Sequence, residues 1–139
     1  MSEYMGIEYL RKKLNNKRIR INLKYKYYDM KFLVRDLGIS TPPELRNLNS
    51  VVGWNAKAVD SIADRLVFNG FTNDIMNFSQ IFQMNNQDVL IDSANLGALI
   101  TSCDFIYISE DEAGFPRLQV IDGGDATGII DPITNMLKE

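Results

Sequence analysis

The stretch RKKLNNKRIRINLKYKYYD, residues 11–29, concentrates the residue types that bind anions. Arg11, Lys12, Lys13, Lys17, Arg18, Arg20, Lys24 and Lys26 can neutralise phosphates, and the interleaved Tyr25, Tyr27 and Tyr28 offer rings on which bases stack. At helical spacing, however, the tyrosines fall with the apolar stripe rather than with the cations. The favoured expectation is therefore a helix with tyrosines in its core and a cationic side held in solvent or against the acidic face of another subunit. A small nucleic-acid-binding module is the alternative.

Other chemistry finds little support. The chain has no His, which removes the commonest general base, nucleophile partner and metal ligand together and excludes conventional triads. Gly123 to Gly128 satisfies GxxxxG, but Ile129-Ile130 follow where a phosphate loop needs Lys and then Ser or Thr. Glu110, Asp111 and Glu112 lack the alternating ligand spacing of a calcium loop and read as a solvated hairpin tip. Cys103 has no basic neighbour in sequence and reads as a buried structural thiol. No catalytic residue, metal or cofactor is expected, although a pair of carboxylates brought together by the fold would reopen enzymology.

The elements that must position these residues follow from periodicity. Ile7, Leu10, Leu14, Ile21, Tyr25 and Tyr28 keep helical spacing, with the polar Asn15-Asn16-Lys17-Arg18 predicting one broken helix or two short ones. An extended piece over 31–34, a loop at Leu37 to Pro43 and a short turn at 44–47 come next. In NSVVGWNAKAVDSIADRLVFNGF, Ser50 caps a helix whose Val52, Ala56, Val59, Ala63 and Leu66, widened by Trp54, Ala58 and Ile62, predict a face two-thirds buried. Gly53 suggests close packing against that helix's first turn. Leu66-Val67-Phe68 then predicts a strand and Asn69-Gly70 a two-residue turn with two positive φ values. A short helix over 73–81 follows, then a second amphipathic helix from an Asn86 cap, in which Gly97 and Ala98 permit a close neighbour. Three β-type runs, 105–108, 117–121 and 127–130, predict an antiparallel meander.

At 139 residues the chain is one domain in size, and its 45% hydrophobic and 24% charged residues are globular values. We read residues 1–36 as a basic helical segment and 37–139 as an α+β body. No apolar run has membrane-spanning length and no signal-like segment opens the chain, so a soluble, non-exported protein is expected. The net charge of -3 hides an asymmetry: residues 1–35 carry 10 basic and 3 acidic side chains, net +7, and residues 36–139 carry 5 and 15, net -10. Such a division suits a basic arm meeting nucleic acid or the acidic part of another copy.

Several segments, in order, resemble the N-terminal part of tailed-bacteriophage portal proteins of the Gp6-like siphophage family. They are Tyr27-Tyr28-Asp29; Pro43-Glu44-Leu45-Arg46-Asn47-Leu48 leading into Val51-Val52-Gly53-Trp54-Asn55, with Val59-Asp60, Arg65-Leu66 and Gly70-Phe71; the 92–97 helix feeding strand 105–108 and a Gly114-Phe115-Pro116 hairpin; and Asp125-Ala126-Thr127 before Ile129-Ile130-Asp131-Pro132. The resemblance covers roughly residues 20–137. It implies a wing-like α+β body in a dodecameric ring at one capsid vertex, through which DNA is packaged and ejected. It also implies terminase, capsid or scaffold and head-tail connector partners, and a place in the virion, or in the bacterial cytoplasm during assembly or as a prophage product. A helix continuous with a strand would then act as a rigid brace. Family members are several times longer, so a wing without stem and clip is expected, from a longer portal or a truncated prophage remnant.

Overall fold

A computed structural model describes residues 6–32, 42, 44, 53–134 and 136–138. The architecture is α+β: among the described residues there are four helices and a two-stranded antiparallel sheet, in the order α1 (Gly6–Tyr28), α2 (Trp54–Ala63), α3 (Phe78–Met84), α4 (Gln87–Thr101), β1 (Phe105–Glu110) and β2 (Pro116–Ile121). Helix α4 is the hub, packing against α1, α2, α3 and β2. The Ser50 cap and all of the 37–43 loop except residue 42 lie outside the described residues, as do half of the 31–34 piece and most of the 44–47 turn.

α1 is a single unbroken helix of 23 residues, not the interrupted one expected. Asn and Lys lower helix propensity by only tenths of a kcal/mol, and neither Gly nor Pro follows Gly6 within it. The stripe that faces the body runs Leu10, Leu14, Lys17, Ile21, Lys24 and Tyr28, alternating steps of four and three, so Lys17 is a rung of the stripe and not its interruption. The helix stops in a Schellman arrangement: Met30 adopts φ 58°, its amide donates to the Tyr27 carbonyl at 3.3 Å, and Lys31 N donates to the Lys26 carbonyl at 2.8 Å. Met30 then lies against α2, where a Cβ on Gly53 would stand 2.8 Å from the Met30 sulfur. The close approach expected at Gly53 is there.

α2 departs from expectation in its burial. None of its residues is buried; Ala56, Val59 and Ala63 are half-buried, while Trp54 and Ile62 are 73% and 51% exposed. The helix leans on α1 and α4 with a narrow row of small side chains, and Trp54, Ala58 and Ile62 form a second row that faces outward. Nor does it run into a strand. Residues 66–71 are irregular, and only Gly70, at φ 88°, takes the positive φ expected of both Asn69 and Gly70. Among the described residues no strand pairs with Leu66-Val67-Phe68. Instead, Phe68 and Phe71 interlock with Phe78 and Phe82, with ring centroids 4.9 to 6.0 Å apart. α3 starts later than the expected 73–81 because Asp74 accepts from the Phe78 and Ser79 amides at 2.6 and 2.7 Å, fixing the first turn there.

The predicted meander reduces to a hairpin. β1 and β2 pair from Phe105↔Ile121 to Glu110↔Pro116, and the third run contributes only an isolated Ile130↔Leu137 bridge. The Asp122 carbonyl accepts from Asp125 N and Ala126 N, turning the chain out of the sheet direction and back past α1. Asp111 builds the hairpin tip: its Oδ1 accepts from Ala113 N and Phe115 N at 2.9 Å, and its Oδ2 pairs with Arg117 at 3.0 Å. The free edge of β2 is occupied by a side chain. Asn85 Nδ2 donates to the Pro116 carbonyl at 3.0 Å and to the Ile81 carbonyl at 2.8 Å, and its Oδ1 accepts from Leu118 N at 3.0 Å.

Asn86 precedes α4 at φ 52° without a side-chain cap, so the capping expected of it is absent and Asn85 does the anchoring. Asn85→Asp should destabilise the fold by about 1–3 kcal/mol in urea titrations, because a carboxylate donates nothing to the Ile81 and Pro116 carbonyls. An unchanged urea midpoint would show that the clamp is dispensable.

Candidate functional site: the cationic N-terminal helix

The eight candidate cations divide by their position around α1. Four turn to the body of the same chain. Lys13 Nζ donates to the Gly128 carbonyl at 2.7 Å, and Lys17 Nζ donates to Cys103 Sγ at 2.8 Å while lying 5.4 Å from the Phe105 ring centroid. Arg18 donates to the Gly124 carbonyl at 3.1 Å and to Asp125 Oδ1 at 2.8 Å. Lys24 Nζ donates to Ser102 Oγ at 2.6 Å and to the Thr101 carbonyl at 3.3 Å. Arg11 pairs at 3.2 Å with Glu8, one turn away and also exposed, which is worth a few tenths of a kcal/mol. Lys12, Arg20 and Lys26 lie on the outer side, where no such partner is found among the described residues.

The tyrosines follow the same geometry. Tyr25 OH donates to Asp122 and Tyr28 OH to Asp60 Oδ1 at 2.7 Å, both from half-buried positions. Burial and then the Asp122 contact push the Tyr25 phenol upward; the Asp60 hydrogen bond does the same for Tyr28. Tyr27 faces out and lies against Phe32, with ring centroids 4.4 Å apart. Two of the three rings proposed as stacking platforms are thus hydrogen-bonded into the body.

What α1 grips is the junction between α4 and the hairpin. Thr101 is 2% exposed and its hydroxyl lies 2.7 Å from the Cys103 carbonyl and 3.1 Å from Asp104 Oδ1. Asp104 Oδ1 also accepts from Gly123 N at 3.0 Å, joining the entry of β1 to the exit of β2. Two glycines make room. A Cβ at Gly97 would stand 1.8 Å from Asp104 Oδ2, and one at Gly123 would stand 2.2 Å from the Cys103 carbonyl oxygen. The close neighbour expected at Gly97 is thus a carboxylate. Burial raises the Asp104 pKa, with Asp122 adding to the rise and the Gly123 amide, Thr101 and Lys17 opposing it.

Cys103 is half-buried and sits beside an ammonium that sequence neighbours could not reveal, since Lys17 is 86 positions away. Asp60 and Asp122 were missed for the same reason. Among the described residues, no three His, Cys, Asp or Glu side chains are placed to hold a metal ion. No helix among them is long and apolar enough to cross a membrane.

Gly97→Ala should destabilise the fold in calorimetry even though Ala favours a helix interior by about 1 kcal/mol, because the methyl meets a carboxylate anchored by Gly123. Asp104 also gives a pH signature. Its folded pKa lies above the ordinary 3.8, so the ionised form is disfavoured by folding, and the penalty grows as pH rises from 3.8 through the folded value and is complete above it. Stability of Asp104→Asn relative to the parent should therefore improve as pH rises through that window; a gap constant with pH would contradict this assignment. Comparison of the chain with protein-family models, curated proteins and solved structures finds no match.

Proposed function

We propose that the chain is a structural component of a phage or prophage portal, contributing a wing-like body to a ring at the capsid vertex through which DNA is packaged and ejected. The reading assigns it no catalytic step, places it in the virion or in the bacterial cytoplasm during assembly, and gives it copies of itself, terminase, capsid or scaffold and connector proteins as partners. Its main support is the ordered set of motifs over residues 20–137. The structural observation that carries it is the thin core. Among the described residues only Ile21, Leu90 and Ile100 are buried apolar side chains, while Trp54, Val67, Ile75 and Ile133 are 73% to 91% exposed. Exposed apolar side chains in this number suit a surface that associates.

The runner-up is nucleic-acid binding by the basic segment. Exposed Lys12, Arg20 and Lys26, with Arg11 paired only at the surface, favour it; the engagement of Lys13, Lys17, Arg18 and Lys24 within the chain counts against it. Four available cations predict a slope of log affinity against log salt no steeper than about -3.6 on double-stranded DNA. Tight binding that weakens with salt up to that slope would favour the runner-up, and no binding at low salt would count against it.

The deciding experiment is mass spectrometry and gold labelling of particles released from the source bacterium on prophage induction or phage infection. Peptides from residues 6–138 in purified particles, with label at a single vertex, are expected. Particles that lack these peptides would overturn the portal reading.

A further inference from the structure

An open groove of about 470 Å³ lies between α2 with the segment that follows it and the 88–96 part of α4. Its apolar lining includes Leu66, Val67, Phe68, Ile91 and Leu96. Its walls carry two pairs of carboxylates, Asp60 on α2 with Asp64 at its C-terminal cap, and Asp88 and Asp92 on α4, each pair one helical turn apart. Asp60 accepts from Tyr28, but no cation among the described residues lies within ion-pair distance of Asp64, Asp88 or Asp92. Four like charges around an exposed apolar strip, with Val67 75% exposed, suit a helix face that is apolar along its centre and cationic at its margins.

The outer face of α1 has that composition. Ile19 and Leu23 are one turn apart and 72% and 45% exposed, with Arg20 and Lys26 on either side of them and Lys12 two turns before Ile19 on the same line. At 100° per residue, both apolar residues lie about 160° around the helix from the buried Ile21, so this face points away from its own body and cannot reach its own groove. We propose that the α2–α4 groove receives the outer face of α1 from a second copy of the chain. The two surfaces differ, so the contact is head-to-tail, and repeating it closes a ring or extends a filament. The inference deepens the assembly reading, and rests on it, by naming the two complementary surfaces and the residues that match them.

Sedimentation velocity on D64K/D88K/D92K and on K12E/R20E/K26E tests the pairing. Each set alone should raise the dissociation constant of self-association at least about tenfold. Mixing the two should restore a hetero-complex, because the reversed charges again match; this rescue also controls for variants that fail to fold. A parent chain that self-associates while both reversed sets assemble equally well would overturn the groove and leave the assembly reading intact. A parent that remains monomeric while its peptides are found in particles would do the same. Binding of an unrelated cationic helix to the parent groove, with no hetero-complex on mixing the two reversed sets, would transfer the groove to another partner and also overturn the proposal.

Discussion

The organisation of this protein depends on burying Ile21. That side chain sits at the centre of an α1 stripe that also carries Lys17 and Lys24, so the helix can dock only where ammonium groups find acceptors. The α4–β1 junction and the turn after β2 supply them: the Thr101 carbonyl, Ser102 hydroxyl and Cys103 sulfur for the lysines of the stripe, and the Gly124 and Gly128 carbonyls for Arg18 and Lys13 on its margins. Ser102, held at φ 83°, directs the chain from α4 into that junction. The placement of the hairpin relative to the helices is therefore tied to charge satisfaction as much as to apolar packing.

This explains why the basic segment is so uneven in its exposure. A purely electrostatic arm would present all its cations to the outside, whereas here the helix uses about half of them as anchors. The long lysine stems cover apolar surface on the way, so a residue type usually assigned to solvent acts partly as packing. The charge asymmetry between residues 1–35 and the remainder is, in part, an attraction within one chain, seen in Arg18 with Asp125.

The parts legible in the sequence were those with local rules. α4 and the 105–121 hairpin follow from helical spacing, alternating β-type residues and a turn anchored by Asp111. The break assigned to α1 failed because consecutive polar residues weaken an apolar stripe without blocking a helix, which takes Gly or Pro. The strand assigned to Leu66-Val67-Phe68 failed because β-type residues need a partner backbone, and here the phenylalanines find one another first. The groove walls, the Asn85 clamp and the Lys17–Cys103 contact join positions tens of residues apart, where a single sequence gives no pairing information.

Asn85 gives the hairpin a direction. Its amide fills the hydrogen-bonding positions of Pro116 and Leu118 that a further strand would need, so it acts as a one-residue stand-in for a neighbouring chain. The two borders of the sheet are consequently unequivalent: the β2 border is terminated from within, and the β1 border, which has no strand partner other than β2 among the described residues, is the side where extension meets no obstacle from this clamp. A fold with one finished border and one open one confines to a single side where other backbone can align with it.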